Sequence, residues 1–478
     1  MKHGIETIHL YHTNDIHSHF DSWPKISRHL QSKRQQHNSE EEACFIFDIG
    51  DHVDRSHPFT EGTNGKGNVA LLNSAGYDAV TIGNNEGITM SKKALNTLYK
   101  GAEFDVVLCN LTETDDSFPK WLEPYKIYET ALGVKIGVIG ATAMYTDFYA
   151  KLGWRIEEPR HVLKKVAMEI QHKTDIIICL SHLGVNEDRL LAAECELFDV
   201  ILGAHTHHLF PEGEMVNDTL LAATGKFGEY VGHVEIHIDL DSKNVVEKRA
   251  EVVHVNELES HEEDIQDVNN LIQAGKEALE EKVFYNTSPL KQQLFVESPM
   301  SSFFGRALID YTGADCAMFN AGIFLGSLEK GWVTKRMVHS LLPHPINPCT
   351  ITLDGAELLE IYKLAGNESW PETEIKGLGF RGNFMGKMIF ERLFRKSAGE
   401  LYAGNRKVVA GKTFKLATLD MFTFGFFFPV LKEAKKEYHM PELIRDVFVW
   451  YGMKRDGRVN KDDTESTSRT RMNDPGPA

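Results

Sequence analysis

Five short segments of the sequence carry aspartate, asparagine and histidine side chains of the kind that bind a pair of metal ions. The seven residues concerned are Asp15 and His17 (Thr-Asn-Asp-Ile-His), Asp51 (Asp-Ile-Gly-Asp), Asn84 (Gly-Asn-Asn-Glu), His182 (Ser-His-Leu-Gly), and His205 and His207 (Gly-Ala-His-Thr-His). Two cations roughly 3.5–4 Å apart, joined by one shared ligand, can activate water and stabilise charge on a reacting oxygen. A lone Asp-x-His or Gly-Asp after a strand is more often a turn or a helix cap than a metal ligand, whereas Gly-Ala-His-Thr-His alone fits either interpretation. All five together predict a two-metal hydrolytic centre.

Each segment lies just past a run of residues that is typical of a buried β-strand. The predicted strands of the first half are Ile8–His12, Cys44–Ile49, Ala79–Ile82, Val106–Cys109, Ile136–Ile139, Ile176–Leu180 and Val200–Leu202. These runs alternate with amphipathic stretches, which indicates an α/β fold. Open α/β sheets place their sites beyond the carboxyl ends of the strands. We therefore expect the seven side chains to converge at one edge of the fold.

The length of 478 residues exceeds what one hydrophobic core usually organises, so two domains are expected. We assign residues 1–255 to a first domain and residues 256–285 to a helical linker with Ile265, Val268, Ile272 and Leu279 along one face. Ser260 and Glu263 fit a capping box at its start. Residues 286–453 read as a second α/β domain with strands at Ile351–Leu353, Met388–Phe390 and Phe414–Leu419, and residues 454–478 as a disordered tail.

Composition excludes several classes of function. The chain has 52 Lys and Arg against 69 Asp and Glu, a net charge of −17, which disfavours nucleic-acid polymers and anionic membranes as partners. No run approaches the roughly 18 apolar residues of a membrane span, and the first residues lack the pattern of a secretory signal. Six scattered cysteines without CxxC spacing are typical of reduced core thiols. We therefore expect a cytoplasmic protein.

The five segments, in this order, resemble those of the calcineurin-like metallophosphoesterases, and specifically the 5′-nucleotidase and UDP-sugar hydrolase family. The resemblance covers most of residues 5–450 and extends through Ala223-Thr-Gly-Lys-Phe-Gly-Glu-Tyr-Val-Gly-His. It implies an N-terminal four-layer αββα sandwich followed by a smaller α/β substrate domain. It also implies two divalent ions, one held by Asp15, His17 and His207, the other by Asn84, His182 and His205, with Asp51 bridging. These ligand types suit manganese, zinc, iron or cobalt and do not distinguish among them.

One departure concerns the catalytic acid. Where the family has Gly-Asn-His-Glu, this sequence has Gly-Asn-Asn-Glu, so Asn85 replaces the family histidine and Ile88 replaces its acidic partner. Asn85 can donate a hydrogen bond to a transition-state oxygen but cannot transfer a proton, a loss that typically costs about 10²–10⁴ in rate. His52 could act as the acid instead, or could support the neighbouring ligand. The Asn-Asn-Glu-Gly version is similar to the cytoplasmic YunD-type branch of the family.

The second domain resembles the substrate-binding domain of the family less closely. By that resemblance Asn320 in Phe-Asn-Ala-Gly-Ile contacts substrate, and Phe380 and Phe422 sandwich a nucleobase. Phe422 begins an aromatic run that would serve equally well as core. Phe324 stands where an arginine is expected, and Gly425-Phe-Phe-Phe428 replaces a ribose-binding loop. These two losses leave the substrate open between an ordinary nucleoside monophosphate and a differently shaped phosphate ester.

The sequence therefore predicts a hydrolase in which a metal-bound hydroxide attacks the phosphorus of a small phosphate ester, a nucleotide or a similar compound, as in nucleotide catabolism. A phosphodiesterase or pyrophosphohydrolase is the alternative within enzymes, because Asn85 favours leaving groups that need little protonation. A catalytically weak regulatory protein that binds metal and nucleotide is the alternative outside them.

Overall fold

Residues 1–277, the first of two units into which the chain divides, are built on two six-stranded sheets. The computed structural model describes residues 4–396 and 399–458. The strands of this unit are β1 (Ile5–Thr13), β2 (Ala43–Asp48), β3 (Ala79–Val80), β4 (Asp105–Val106), β5 (Leu111–Thr112), β6 (Tyr125–Glu129), β7 (Lys135–Thr142), β8 (Arg155–Ile156), β9 (Ile176–His182), β10 (Val200–Gly203), β11 (Glu214–Val216), β12 (Thr219–Ala222), β13 (Tyr230–Asp239) and β14 (Val245–His254). The helices are α1 (Trp23–Ser39), α2 (Pro58–Thr63), α3 (Lys66–Ala75), α4 (Asn84–Thr89), α5 (Lys92–Leu98), α6 (Thr146–Leu152), α7 (Pro159–Ile170), α8 (Val185–Glu194) and α9 (Asp264–Ala278).

The two sheets pack face to face. The first has the order β14-β13-β1-β2-β3-β4 and the second β11-β12-β10-β9-β7-β6. Apolar side chains from both inner faces, such as Ile8 and Leu10 of β1 and Ile178 of β9, form one buried cluster. Helix α1 packs on β2, while α7 and α8 pack on β7 and β10. The predicted α/β fold is thus confirmed, and its layers follow the order helix, sheet, sheet, helix.

Helix α7 shows how local sequence builds an outer layer. Glu158 caps the helix by accepting hydrogen bonds from the backbone N–H groups of Arg160 and His161, and Pro159 occupies the first helical position. Its apolar residues recur at helical spacing and are buried against the second sheet, namely Val162, Leu163, Val166, Ala167 and Ile170. The same periodicity that predicts the helix therefore orients it.

The second unit, residues 278–478, contains a five-stranded sheet with the order β19-β16-β23-β18-β24. Its strands are β15 (Lys282–Asn286), β16 (Cys316–Asn320), β17 (Gly331–Thr334), β18 (Pro348–Asp354), β19 (Met388–Glu391), β20 (Leu393–Arg395), β21 (Leu401–Ala403), β22 (Arg406–Lys407), β23 (Thr413–Leu419) and β24 (Lys435–Tyr438). Its helices are α10 (Pro299–Thr312), α11 (Lys335–Leu341), α12 (Gly355–Leu364), α13 (Pro429–Glu433) and α14 (Ile444–Arg455). Large buried aromatics, including Phe304, Phe319 and Phe414, fill its core.

The predicted linker helix differs from the structure. Helix α9 begins at Asp264 rather than near Glu257, and residues that we placed at its end form β15 instead. Ile265, assigned to the buried face, is 75% exposed, whereas Val268 and Leu279 are buried. In place of the Ser260–Glu263 capping box, the Asp264 carboxylate accepts the backbone N–H of His261 at 3.0 Å. The four apolar residues are spaced for a helix, but their spacing does not determine which of them are buried.

Two further predictions concern the tail of the chain and the absence of a membrane span. Helix α14 continues through Lys454 and Arg455, which we had placed in the tail, and residues 459–478 lie outside the described part of the chain. Among the described residues, no helix combines the length and the apolar character that a membrane span requires.

Candidate metal centre

The loops that follow β1 and β2 lie side by side and carry three of the predicted ligands. The parallel pairing of these strands reaches Thr13 opposite Asp48. Beyond it, the N–H of Asp15 donates to the carbonyl of Gly50 at 3.0 Å and that of His17 to the carbonyl of Asp51 at 2.7 Å. Backbone hydrogen bonds therefore place the two loops, and their ligands, next to each other.

Five of the seven predicted ligands have left-handed backbone conformations, which are uncommon for residues other than glycine. The φ angles are 50° at Asp15, 48° at His17, 53° at Asp51, 71° at His205 and 58° at His207. Such conformations cost of order 1–3 kcal/mol each and persist where the surrounding structure enforces them. Their concentration at these five positions marks the edge of the fold at which the ligand loops meet.

Asp51 occupies the position expected of a bridging ligand. Its Oδ2 lies 3.6 Å from Nε2 of His17 and 3.5 Å from Nε2 of His182. Its Oδ1 accepts the backbone N–H of Asn85 at 2.7 Å. One oxygen is thus held by the protein and the other faces imidazoles on both sides.

Two candidate ligand groups share the Asp15 carboxylate. In the first, Nε2 of His207 lies 3.3 Å from Nε2 of His17 and 3.5 Å from Oδ1 of Asp15. In the second, Nε2 of His182 lies 4.0 Å from the same Oδ1, and Asp51 completes the group. The ring of His205 is 5.2 Å from that of His182. The two groups therefore bring together five of the predicted ligands, and His205 lies beside them.

The donor atoms fit bound cations. Oδ1 of Asp15, Oδ1 of Asn84 and Nε2 of His182 are buried without a hydrogen-bond partner, although most buried polar atoms have one. Nδ1 of His182 donates to the carbonyl oxygen of Ile49 at 2.7 Å, so Nε2 is the nitrogen left to bind an ion once it has lost its proton. A divalent ion would satisfy each of these atoms.

Charge interactions in the site favour deprotonated acids next to cations. Burial would raise the pKa of Asp15, but contacts with His17 and His207 outweigh it and hold that pKa well below its usual range. Burial would likewise lower the pKa of His182, but the charges of Asp51 and Asp15 raise it to about 10. The carboxylates thus attract positive charge strongly, and metal ions would compete with protons for it.

The carboxylate of Glu86 links the loop that carries Asp51 to the start of α4. Its carboxylate accepts the backbone N–H groups of Asp51 at 3.0 Å, Val53 at 2.8 Å and Gly83 at 2.9 Å. The sequence contained a signal for this role, because Glu86 stands three positions after Gly83 at the start of α4, as in a capping box. Gly83 is required as well, since a Cβ there would lie 2.0 Å from Oδ1 of Asp51.

Both predicted catalytic residues, Asn85 and His52, are packed against neighbouring side chains. The amide of Asn85 lies 2.7 Å from Nδ1 of His17, so it contacts a ligand rather than open space. His52 is buried among Phe20 and Trp23, its Nδ1 lies 3.2 Å from the amide nitrogen of Asn68, and burial lowers its pKa to about 3. The prediction of His52 as the acid is therefore not supported, because its ring belongs to the packing behind the ligand loops.

Sequence reasoning missed Tyr145. Its hydroxyl lies 3.5 Å from Nε2 of His205, in the loop between β7 and α6. Burial, together with the charge of Asp51, raises its pKa, so the hydroxyl keeps its proton at neutral pH. The only available signal was its position after the end of a predicted strand.

The predicted substrate residues of the second unit are packed inside it. The Asn320 amide donates to the carbonyl of Met385 at 2.9 Å and is fully buried. Phe380 is 4% exposed and stacks on His344 with ring centroids 5.1 Å apart. Phe422 is 0% exposed and contacts Phe428. Phe422 is therefore part of the core, which was one of the two interpretations of the aromatic run. Phe380 could stack on a nucleobase only if its ring left His344.

Comparison with known proteins is consistent with this geometry. Residues 8–209 match the family model of calcineurin-like phosphoesterases. The chain is 39% identical over 456 residues to the uncharacterized metallophosphoesterase YunD of Bacillus subtilis, covering 93% of this chain and 99% of that protein. It is 26% identical to the trifunctional nucleotide phosphoesterase protein YfkN of Bacillus subtilis, covering 75% of this chain and 27% of that protein. The crystal structure of a putative 5′-nucleotidase from Staphylococcus aureus shares the fold, with a TM-score of 0.67, 17% identity, and coverage of 95% and 98% of the two chains.

Proposed function

Because this chain belongs to the calcineurin-like metallophosphoesterase family and is a phosphoester hydrolase, we propose that its substrate is a nucleotide or a nucleotide-like phosphate. The observation that carries the choice of site is the placement of Asp51, whose Oδ2 lies within 3.6 Å of Nε2 of both His17 and His182. The nucleotide assignment is supported by similarity to a nucleotide phosphoesterase and by the shared fold of a putative 5′-nucleotidase.

The family uses divalent metal ions, and we infer that two of them bind here. Asp15, His17 and His207 would hold one ion, Asn84, His182 and His205 the other, and Asp51 both. When bound, such ions supply positive charge and lower the pKa of water. The donor set of imidazole, carboxylate and amide suits manganese, zinc, iron or cobalt, and availability would decide among them.

The roles of Asn85 and Tyr145 follow from their contacts. The amide of Asn85 orients His17, as outer groups commonly do for imidazole ligands. It can present either its oxygen or its nitrogen to the ring by a half-turn. Tyr145, which keeps its proton beside His205, can donate a hydrogen bond to an oxygen of the reacting phosphate. No histidine at position 85 supplies a proton to the leaving group, so substrates with good leaving groups should react fastest.

A cationic and aromatic rim next to the first ligand group suits an anionic substrate with a ring. The backbone N–H of Phe227 donates to the carbonyl of Asp15 at 2.8 Å, which fixes the loop beside the centre. The Phe227 ring stacks on His19 at 3.9 Å, and Nζ of Lys226 lies 4.6 Å from the same ring. On a chain of net charge −17, Lys226 supplies the local positive charge that a phosphate needs.

The test is a substrate panel with the manganese-loaded full chain. It contains nucleoside monophosphates, nucleoside diphosphate sugars, cyclic nucleotides and bis-p-nitrophenyl phosphate. Asp51→Ala is the inactive reference, and His208→Ala is the matched control, because His208 is exposed and its ring hydrogen-bonds to Thr206 rather than to a predicted ligand. We expect turnover of at least one nucleotide substrate that disappears in Asp51→Ala and persists in His208→Ala.

Other outcomes lead to the alternatives. Turnover confined to diesters and pyrophosphates would favour a phosphodiesterase or pyrophosphohydrolase, a reading that the contact of Asn85 with His17 supports. No turnover of any substrate by protein with two bound ions would instead favour the metal- and nucleotide-binding regulatory protein. A cytoplasmic location remains a prediction from the sequence.

A further inference from the structure

The outer face of β1 and β13 is unusually polar for a surface covered by a helix. The inner face of these strands carries Ile8, Leu10, Val234 and Ile236 in the apolar cluster. The alternate positions, His9, Tyr11, His233 and Glu235, face the other way, with Tyr11 paired to His233 and His9 to Glu235. A helix usually packs on a sheet through apolar side chains. Here α1 instead contributes His29, Lys33 and His37 to a cavity of about 460 Å³ over this face.

Three histidines from separate elements meet in this cavity. They are His9 of β1, His37 of α1 and His233 of β13, and one ligand atom from each lies within 4.8 Å of the other two. Nδ1 of His9 lies 3.0 Å from Nε2 of His233. The rings of His9 and His37 are stacked with centroids 3.7 Å apart. His9 and His37 are buried, and the side chain of His233 is 14% exposed.

Carboxylates hold the far nitrogen of each ring. Glu42 lies 3.0 Å from Nε2 of His9 and 3.0 Å from Nδ1 of His37. Glu251 lies 3.0 Å from Nδ1 of His233. Imidazoles that bind metals nearly always have their other nitrogen on a carboxylate, a carbonyl or water, which sets the tautomer. The remaining nitrogens, Nδ1 of His9 and Nε2 of His37 and His233, are therefore the ones left to bind an ion, which would replace the contacts between His9 and His233 and between Tyr11 and His37.

Tyr11 adds an oxygen close to the cluster. Its hydroxyl lies 3.1 Å from Nε2 of His37, and its ring stacks on that of His233 with centroids 4.5 Å apart.

We propose that His9, His37 and His233 form a binding site for a transition-metal ion, with Zn²⁺ as the best-suited ion, separate from the candidate two-metal centre. Imidazole and carboxylate groups suit zinc, which takes four ligands at short distances. Tyr11 or water can occupy the fourth position. His9 and Asp15 are six residues apart along the chain, about 20 Å of extended strand, so the two sites share β1 but no ligand. A bound ion would connect α1 to β1 and β13 and so stabilise the outer helical layer.

The experiment measures zinc affinity in the full chain with both ligand groups of the two-metal centre disabled by combining Asp15→Ala with Asp51→Ala. Metal-stripped protein competes for Zn²⁺ with a chromogenic chelator. We expect one tight site in the Asp15→Ala, Asp51→Ala protein. Glu42→Gln should weaken it about 10–100-fold, and His9→Gln combined with His233→Gln should weaken it further. His29→Gln is the matched control, since His29 lines the same cavity outside the ligand group, and it should leave the affinity unchanged.

A second measurement keeps the proposal testable if the double variant fails to fold. Crystals of the unvaried protein soaked in zinc should give an anomalous peak at the zinc edge between His9, His37 and His233. Equal zinc affinity with and without His9 and His233 in folded protein would overturn the proposal. So would zinc-soaked crystals without a peak at this place, because the cluster would then be a hydrogen-bonded network only.

Discussion

Replacing Asn85 with alanine should weaken metal binding rather than slow the chemical step. The Asn85 amide is 6% exposed and lies 2.7 Å from Nδ1 of His17, whose Nε2 faces Asp15 and Asp51. Removing an outer partner of an imidazole ligand typically costs about 10–100-fold in metal affinity. Oδ2 of Asp54 lies 3.8 Å from the same Nδ1 and can partly take over. We therefore expect the lower end, about 10-fold or ~1.4 kcal/mol.

The assay is the initial rate of bis-p-nitrophenyl phosphate hydrolysis as a function of Mn²⁺ concentration. The midpoint should rise about 10-fold in Asn85→Ala, and excess Mn²⁺ should restore most of the rate. Asn96→Ala, an exposed asparagine of the same unit, is the control and should match the unvaried protein. An unchanged midpoint with a rate about 10²-fold lower at saturating metal would refute the reasoning, because Asn85 would then act on the leaving oxygen.

Three further predictions test other parts of the structure. Gly83→Ala would place a Cβ 2.0 Å from Oδ1 of Asp51, and the displaced carboxylate should lower kcat/KM by about 10² at saturating Mn²⁺. Phe422→Ala should lower the free energy of unfolding by about 3–5 kcal/mol and leave KM unchanged, because the ring is fully buried. Burial raises the pKa of Asp420 to about 7, although it accepts the N–H of Asn347 at 2.9 Å. Between the unfolded value of 3.8 and about 7 the folded state binds more protons, so this group's stabilisation is lost as pH rises. Relative to the unvaried protein, Asp420→Asn should gain up to about 1.4 kcal/mol per pH unit in urea unfolding across that window.

Each of these three predictions has a control or a result that would contradict it. Gly101→Ala meets no atom within 4 Å and should behave as the unvaried protein; equal losses at Gly83 and Gly101 would mean that close packing on Asp51 is not the cause. Phe426, at 78% exposure, should change stability by no more than about 0.5 kcal/mol on truncation. A raised KM with unaltered stability in Phe422→Ala would revive the stacking role. A stability difference at Asp420 that is independent of pH would contradict the buried protonated acid.

The candidate two-metal centre was accessible from sequence because its information is local. Each ligand follows a strand, parallel strands end at one edge of a sheet, and the five segments are specific in combination. The sequence could not place Phe422, since an aromatic run fills a core as readily as it lines a pocket, and only packing decides. It likewise misplaced Ile265, whose helical spacing is correct but whose side of α9 faces solvent.

The histidine cluster under α1 escaped prediction for a different reason. Neither His9 nor His37 belongs to one of the five segments that predict the two-metal centre. Their partner His233 is 224 positions from His9, and only the pairing of β1 with β13 brings the two together. The alternation of His9 with Tyr11, and of His233 with Glu235 and His237, was a weak sign that both strands expose a polar face. Register between distant strands is what local patterns leave undetermined.

The separation of the ligands along the chain also determines the order in which the candidate metal centre assembles during synthesis on the ribosome. His17 and His207 are separated by 190 positions, which takes about 10–40 s to synthesise at 5–20 residues per second. During that interval the loops after β1 and β2 can already join, whereas the histidines of the second sheet have not yet been made. The edge of β1 that pairs with β13 stays unpaired for longer, until β13 has been synthesised. The nascent protein therefore carries four of the seven predicted ligands beside an unpaired strand edge, and chelation of metal at that stage would engage Asp15, His17, Asp51 and Asn84 alone.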